Sequence, residues 1–375
     1  MRHLTFYFSC CILLACNQPV QKSTTGSSEP PGATTVNYIP NAKNIIFLIG
    51  DGMGLTQITA GMYLNGNKTA LEKFPVVGLH KSHSENNLVT DSAAGATAFA
   101  SGIKTVNGAL GMDHLGQNKE TILEEAERKG LATGLLTTST IVHATPAAFI
   151  THVRSRRLYE EIALGFMNTD IDLMIGGGKA YFTRREDGRD LYQRLRDRNY
   201  YVADYFDTEI DEINIQGGEN LAYFTSDKDP LPKDQGRDYL PPATELALDF
   251  LEDRSGKGFF LMIEGAQIDW GGHANNIDYI VDEFHEFDKV VDMCIEFAKK
   301  NGETLVIVTA DHETGGLAIN PESTMRKLET AFTTGGHTAT MIPVFAYGPG
   351  ADRFAGIYDN TKIYTKMRQA YGWRR

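Results

Sequence analysis

A carboxylate and an imidazole lie four residues apart at Asp269 and His273. One helical turn would place both side chains on one face, and mixed aspartate and histidine ligands suit zinc. A second cluster of the same two residue types is Asp311 with His312, and His337 supplies a further imidazole. A surface pair of aspartate and histidine has the same spacing, so the first cluster alone leaves metal binding and a surface pair equally open.

Three carboxylates follow apolar runs of the sequence, at the point where each run ends. They are Asp51 after residues 44–49, Glu264 after residues 259–263, and Asp311 after residues 304–309. Short apolar runs predict buried strands, and ligands bind at the carboxyl ends of the strands in open α/β sheets. The sequence therefore predicts that these carboxylates meet at a ligand-binding edge.

Ser92 precedes a run of small residues in the sequence Asp-Ser-Ala-Ala-Gly-Ala-Thr-Ala. Small residues let a helix begin close to other backbones, and a helix N-terminus favours an anion. A plain helix cap has the same appearance and is favoured when this segment is taken alone. Thr90 and Ala94 replace the glycines that flank the nucleophile of serine esterases, which argues against that class.

The chain of 375 residues has a net charge of −12 and is 42% hydrophobic, which is enough for one large core. The acidic balance argues against nucleic acid or an anionic membrane as a partner. A phosphate site would need local positive charge from metals or from an arginine. The glycine-rich segments 50–54 and 176–179 lack the further residues that dinucleotide and P-loop motifs require.

Apolar runs alternate with helical patterns, which predicts an α/β fold with a largely parallel central sheet and helices on both faces. The predicted strands are residues 44–49, 131–137, 172–175, 259–263, 304–309 and 342–347. The predicted helices are residues 119–129, 243–254 and 278–300. The acidic residues between positions 278 and 288 are expected to form a solvated helix face.

Residues 1–15 are predicted to be a signal peptide, because their apolar run is too short to span a bilayer. The run ends in Leu-Leu-Ala-Cys at Cys16, which resembles a bacterial lipobox. The resemblance implies cleavage before Cys16 and a lipid on its thiol. An ordinary signal peptide cleaved nearby is the alternative.

Residues 16–41 are rich in Ser, Thr, Pro and Gly and predict a flexible tether, followed by a catalytic domain at 42–375. Cys294 is the one cysteine of this domain, so no internal disulfide is expected. Together these features predict an exported protein of the cell envelope, either periplasmic or an outer-membrane-anchored lipoprotein, whose membrane contact is the lipid alone.

Eight motifs occur in the order found in alkaline phosphatases, and the chain resembles that family over residues 44–350. The motifs are Gly-Asp-Gly-Met-Gly at Asp51, Asp-Ser-Ala-Ala at Ser92, Ala-Thr-Pro-Ala-Ala at Thr145, Arg156, Glu-Gly-Ala at Glu264, Asp269 with His273, Thr-Ala-Asp-His at His312, and Gly-His at His337. The resemblance implies hydrolysis of phosphate monoesters through a phosphoserine at Ser92.

The resemblance also implies two zinc ions and one magnesium ion. The first zinc ion would be held by Asp269, His273 and His337, the second by Asp51, Asp311 and His312, and magnesium by Asp51, Thr145 and Glu264. Arg156 would grip the phosphoryl oxygens, and the zinc pair would clamp the attacking and leaving oxygens. Because acid would protonate the ligands, activity is expected to rise toward alkaline pH.

Two predicted substrate-binding residues depart from many bacterial members of the family. His143 stands in place of an aspartate beside the magnesium site, and Trp270 stands in place of a lysine that would help to hold phosphate. Only 24 residues separate His312 from His337, which predicts a short crown insertion. A crown-mediated dimer contact is therefore in doubt, and both a monomer and a homodimer remain open.

Two other functions compete with the phosphomonoesterase. A phosphodiesterase of the same superfamily is disfavoured, because Thr145 and Glu264 supply a third metal site. A non-catalytic lipoprotein that scavenges metal or phosphate is disfavoured by Ser92 beside complete ligand sets. Phosphorylated protein formed on mixing with substrate would separate the enzyme from the scavenger.

Overall fold

The computed structural model describes Met1 and residues 41–215 and 218–373. The latter two ranges belong to one compact unit, residues 39–375. Apart from Met1, the predicted signal peptide lies outside the described residues, as do the predicted lipidated Cys16 and nearly all of the predicted tether. Among the helices of the described ranges, none combines the length and the apolar character needed to cross a membrane.

The central element is a ten-stranded sheet in the order β14-β2-β13-β8-β1-β7-β3-β4-β6-β5. Two short two-stranded sheets accompany it, β10 with β11 and β12 with β9. The strands are β1 (Asn44–Gly50), β2 (Val76–Lys81), β3 (Ala132–Thr140), β4 (Leu173–Gly177), β5 (Tyr200–Asp204), β6 (Asn220–Phe224), β7 (Phe259–Gly265), β8 (Thr304–Thr309), β9 (Glu313–Thr314), β10 (Leu317–Ile319), β11 (Thr330–Phe332), β12 (His337–Thr338), β13 (Ile342–Tyr347) and β14 (Gly356–Asp359).

The sheet is parallel except at one strand. Among the described strands of this sheet, β13 runs antiparallel to both of its neighbours, β8 and β2, and the others share one direction. All six predicted strands are present, with ends that differ by a few residues. The predicted α/β fold with a largely parallel sheet is therefore confirmed.

Helices cover both faces of the sheet, and the three predicted helices correspond to α3, α8 and α10. The helices are α1 (Leu55–Leu64), α2 (Ser92–Ser101), α3 (Ile122–Lys129), α4 (Ala144–Ala147), α5 (Tyr159–Gly165), α6 (Ala180–Thr183), α7 (Leu191–Arg196), α8 (Leu240–Arg254), α9 (Gln267–His273), α10 (Ile277–Asn301) and α11 (Thr361–Ala370). Short 3₁₀ helices span Ala70–Lys73, Ile210–Glu212, Lys233–Gln235 and Ala351–Phe354.

The buried strand β1 divides its side chains between two cores. Phe47 packs with α2 in one core, where it meets the ring of Phe99 edge to face at 5.5 Å. Leu48 faces the other core, which contains Phe284 and Phe287 of α10. Because successive residues of a strand point to opposite faces, an apolar run without polar interruptions is what a two-sided core requires. Packing on both faces holds β1 in place, and with it the carboxyl end of the strand, which is followed by Asp51.

The prediction that the acidic residues of α10 form a solvated helix face is wrong for three of them. Glu283, Glu286 and Asp288 are buried, with exposed fractions of 2%, 5% and 7%. Arg237 lies between the two glutamates, forms ion pairs with both, and is itself buried. A buried carboxylate needs such a partner, and the cation comes from a distant loop that helical periodicity does not report.

Candidate active site

Three buried carboxylates meet at the carboxyl edge of the central sheet. Asp51 directly follows β1, Glu264 lies near the end of β7, and Asp311 comes just after β8. Because β7 and β8 flank β1 in parallel, Ile49 is paired with Glu264 on one side and with Thr309 on the other. All three carboxylate residues have an exposed fraction of 0%. The predicted ligand-binding edge is therefore lined with buried acidic groups.

Ser92 is the first residue of α2 and lies buried at this edge. The Asp91 carboxylate caps the helix by accepting a hydrogen bond from the backbone N–H of Ala94. Small residues let α2 approach the sheet edge, since a Cβ atom at Gly95 would lie 3.0 Å from Cβ of Asp311. The N–H groups of the first helical turn create a positive potential that favours an anion at the serine.

The three residues predicted to hold the first zinc ion form one group. One ligand atom from each of Asp269, His273 and His337 lies within 4.8 Å of the others. The Nδ1 atoms of the two rings are 2.8 Å from the carbonyl of Gly335 and 2.9 Å from that of Thr90. If each Nδ1 donates a proton there, both Nε2 atoms, which are 3.2 Å apart, can ligate a metal.

Protons compete with a metal for this first group. The carboxylate of Asp269, 3.3 Å from Nε2 of His273, raises the pKa of His273 to about 9. A metal ion that ligates this ring at neutral pH must therefore displace a proton. Metal affinity at this group rises with pH until the pKa of His273 is passed.

The residues predicted to hold the second zinc ion also form one group, which is fully buried. Nε2 of His312 lies 3.5 Å from Oδ1 of Asp51 and 3.2 Å from Oδ2 of Asp311. Burial lowers the pKa of His312 well below its usual value, so the ring is neutral, as a metal ligand must be. The same Nε2 atom lies 3.4 Å from Oγ of Ser92, so this group faces the serine.

The third group joins Asp51 and Glu264 with His143, again with ligand atoms within 4.8 Å of one another. Thr145, predicted as a magnesium ligand, is fully buried in α4, and its side chain neighbours the Glu264 carboxylate. Asp51 is thus shared between the second and third groups. The sequence had placed His143 beside this site as the replacement for a carboxylate, and the structure brings its ring into the group itself.

The donor set of these groups fits divalent cations. Both carboxylate oxygens of Asp51, Oδ2 of Asp311 and Oε1 of Glu264 accept no hydrogen bond from the described residues. Two carboxylates within 4.8 Å of each other repel by about 3.5 kcal/mol at an effective dielectric of ~20. Bound cations would satisfy the free oxygens and offset this repulsion.

The crowding of these carboxylates also affects their pKa values. Burial, together with the neighbouring carboxylates Asp311, Asp269 and Glu264, raises the pKa of Asp51 well above its usual value. Burial also raises the pKa of Asp311, and it raises that of Glu264 to about 7. Ionised ligands at neutral pH therefore require a compensating positive charge, which a metal ion provides.

Arg156 links the serine to the predicted substrate-binding residues. Its Nη1 atom lies 3.3 Å from Oδ2 of Asp91 and 3.4 Å from Oγ of Ser92. Its Nη2 atom lies 3.3 Å from Nε2 of His143, which must be the acceptor because a guanidinium only donates. Burial and the charge of Arg156 lower the pKa of His143 to about 3, so this ring is neutral. The Trp270 ring contacts the His143 ring edge to face at 6.2 Å.

Sequence reasoning missed Thr314, which touches two ligand groups. Its hydroxyl donates a hydrogen bond to Oδ1 of Asp269 at 2.5 Å and lies 3.2 Å from Nδ1 of His312. Hydrogen bonds of this kind orient metal ligands and tune their basicity. The position two residues after His312 carries no recognisable signal, because a threonine in a short strand is common.

These features are those of a metal-dependent hydrolase, in which groups of metal-ligand side chains surround a buried serine at a helix N-terminus, beside an arginine that can bind a phosphoryl group. A family model for alkaline phosphatase matches residues 42–329, and the chain belongs to the alkaline phosphatase family. It is therefore a phosphomonoesterase of the serine-intermediate type with an alkaline pH optimum, as predicted, and the competing diesterase and scavenger are set aside.

Relatives and solved structures agree with this assignment. Alkaline phosphatase 3 of Bacillus subtilis is 34% identical over 416 residues, covering 88% of each chain. The structure of alkaline phosphatase from the Antarctic bacterium TAB5 is 41% identical, with a TM-score of 0.84, and covers 90% of this chain and 100% of that chain. A variant of that Antarctic enzyme, in which one histidine is replaced by aspartate, has magnesium bound in its M3 site (40% identity, TM-score 0.84, with the same coverage).

Proposed function

We propose that the three ligand groups hold two zinc ions and one magnesium ion around Ser92, which is the nucleophile. Asp269, His273 and His337 are the first zinc site in this proposal. The second zinc site and the magnesium site share Asp51. The observation that carries the proposal is the position of the Ser92 hydroxyl, 3.4 Å from both His312 of the second group and the guanidinium of Arg156.

The reaction proceeds in two displacements at phosphorus. When bound, the metal ions supply Lewis acids that stabilise charge on the attacking and leaving oxygens. Oγ of Ser92 attacks the phosphorus atom, the bond to the ester oxygen breaks, and the proton lost by the serine hydroxyl ends on the departing oxygen, so that the alcohol leaves. Water then attacks the phosphoserine, the bond to Ser92 breaks, and inorganic phosphate departs.

Arg156 positions the phosphoryl group during both displacements. Its planar guanidinium presents two parallel N–H groups to two phosphoryl oxygens. Asp91 and His143 hold that plane from two sides, which reduces the entropy lost when substrate binds. Trp270 places an uncharged ring where a lysine would add a second cation. Arg156 is therefore the main cationic side chain that attracts the phosphate group in this proposal.

We expect His143→Asp to bind magnesium at least ~10-fold more tightly than the natural chain, because it adds a carboxylate to the third group. The variant of the Antarctic enzyme with magnesium in its M3 site supports this expectation. Magnesium affinity can be measured by calorimetric titration of zinc-loaded protein. His143→Asn is the matched control, since it has nearly the same shape as the aspartate variant without its charge. Equal magnesium affinity in the two variants would contradict the proposed site.

We further propose that the enzyme is an exported lipoprotein of the cell envelope, anchored through a lipid on Cys16. The support is the short apolar run followed by Leu-Leu-Ala-Cys and a tether rich in small polar residues. The lipid is the proposed membrane contact. The short segment between His312 and His337 argues against a crown-mediated dimer contact, and it leaves both a monomer and a homodimer with another interface open.

Cys16→Ser is expected to shift the enzyme from the membrane fraction to the soluble or the unprocessed fraction, because a serine cannot carry the lipid. Fractionation of cells followed by an activity assay and immunoblotting measures this change. Cys294→Ser is the control, since it alters a buried thiol of the folded domain without touching the predicted processing site. Natural protein found entirely in the soluble envelope fraction would rule out the anchor.

A further inference from the structure

Glu313 is a buried carboxylate beside the ligand groups that belongs to none of them. It follows His312 directly and is 4% exposed. Its Oε1 atom accepts hydrogen bonds from Nε2 of Gln57 at 2.7 Å and from the backbone N–H of Leu317 at 3.2 Å, and its Oε2 atom accepts one from the hydroxyl of Thr338. These three uncharged donors lie on α1, β10 and β12. A buried carboxylate needs such hydrogen bonds, so the side chain ties three separate elements together.

The segment that carries His337 buries little of its own surface. Each of residues 333–341 is at least partly exposed. Strand β12 is two residues long, and its Thr338 is paired with Glu313 of β9. A two-residue ladder with few buried contacts opens at a low cost in free energy. The hydrogen bonds of side chains around this ladder therefore contribute much of what holds His337 in place.

On its other side, Glu313 contacts the elements that follow β1. Gln57 is fully buried in α1, and its Nε2 atom also donates a hydrogen bond to the carbonyl of Thr314 at 2.7 Å. A Cβ atom at Gly54 would lie 2.3 Å from Cγ of Glu313, so the loop after Asp51 packs directly on this side chain. Glu313 thus connects the partly exposed strand β12 to the buried part of the fold.

We propose that Glu313 is a positioning residue for the first zinc site, where its hydrogen bond to Thr338 holds β12 so that Nε2 of His337 stays within reach of the metal ion. This role rests on the proposed function, because it requires that the group containing His337 binds zinc. Glu313 is not itself a ligand and acts through the residue that follows one. Hydrogen bonds behind a metal ligand typically change metal affinity by about 10- to 100-fold.

Zinc affinity in Glu313→Gln and Glu313→Ala tests this role. Zinc-loaded protein is equilibrated with increasing concentrations of a chromophoric chelator, which reports the affinity of each zinc equivalent. In both variants one equivalent is expected to bind at least ~10-fold more weakly than in the natural chain, whereas the other is unchanged. Excess zinc should restore turnover. Because His273→Ala already empties the first site, Glu313→Gln should not weaken the remaining zinc in that background.

Thr338→Val tests the other end of the same hydrogen bond with little change in shape. It should weaken the same zinc equivalent, and the double variant with Glu313→Gln should bind zinc no more weakly than the weaker single variant, because both changes break one contact. Glu125→Gln is the matched control. Glu125 is another buried carboxylate, 2% exposed, which pairs with Arg368 and belongs to no ligand group, so its replacement should leave both zinc affinities unchanged.

Three results would overturn the positioning role of Glu313. The first is a lower melting temperature in Glu313→Ala with both zinc affinities unchanged, and the second is an equal loss of zinc affinity in Glu125→Gln. The third is additive losses in Glu313→Gln and Thr338→Val, since Glu313 would then not act through Thr338. A natural chain that retained no zinc at the group of Asp269 and His273 would instead contradict the proposed function.

Discussion

Ser92→Ala is expected to lower kcat for a phosphate monoester by at least ~10³-fold while the protein keeps its metals. The hydroxyl is the proposed attacking group, whereas the metal ligands are contributed by other side chains. Steady-state kinetics, metal analysis and acid-quenched mass spectrometry of the protein measure the three consequences. The natural chain should show a phosphorylated serine after quenching, and the variant should not.

Ser101→Ala provides the matched control for this prediction. Ser101 is a buried serine at the opposite end of the same helix, with its hydroxyl near the carbonyl of Lys119. Its replacement removes one buried hydroxyl from α2 without reaching the sheet edge, so turnover should persist. Turnover close to that of the natural chain in a fully metallated Ser92→Ala protein would refute the nucleophile assignment.

Removal of the bound metals with a chelator is expected to lower activity by at least ~100-fold and the melting temperature by about 5 °C or more. The stability loss follows because Asp51, Asp311 and Glu264 are buried together and their free oxygens would lose the compensating charge. Calorimetry and activity assays before and after addition of zinc and magnesium measure both effects. Full activity with no bound metal would contradict metal dependence.

Metal affinity at the first group is expected to fall as the pH is lowered. The pKa of His273 is raised to about 9, so below that value a proton competes with a metal ion at the first group. Affinity at this site should fall by about tenfold per pH unit for each proton taken up, and chelation should be easiest in mild acid. Zinc dissociation constants measured across this range test the slope. A first-site affinity that did not change with pH would contradict ligation by this ring.

His273→Ala separates the proposed first zinc site from the general effect of chelation. The variant is expected to lose about one equivalent of zinc, because one ligand of the group is removed. His83→Ala is its control, since both imidazoles are 42% exposed and His83 pairs with Asp359 away from the ligand groups. Unchanged zinc content in His273→Ala would refute the ligand assignment.

The metal-binding edge could be predicted because its signals are local. Asp51, Glu264 and Asp311 each follow an apolar run, and the run identifies a buried strand whose end lies at the ligand-binding edge of a parallel sheet. The start of α2 at Ser92 was readable from small residues after a capping aspartate. The order of motifs then assigned the ligands to groups that composition and spacing alone had left open.

Other features of the fold depend on contacts between distant parts of the chain. Four strands of the central sheet were not predicted: β2, β5, β6 and β14. Strands β2 and β14 are partly exposed, so their apolar pattern is weak. The antiparallel direction of β13 is not encoded in its own apolar pattern. Glu283 and Glu286 are buried only because Arg237 pairs with them, and a helical pattern cannot report a partner from another segment.

The distribution of ligands along the chain makes metal uptake a late event in assembly. The second group draws on Asp51 and His312, and the first extends to His337, so no short fragment contains a complete group. The second group forms only after β1 has been joined by β8, and the third only after β1 has been joined by β7. These contacts have a large sequence separation and form at a high cost in loop closure. Only molecules with the complete sheet can therefore bind the full set of metals, so the metal content of a preparation reports the fraction of correctly folded chains.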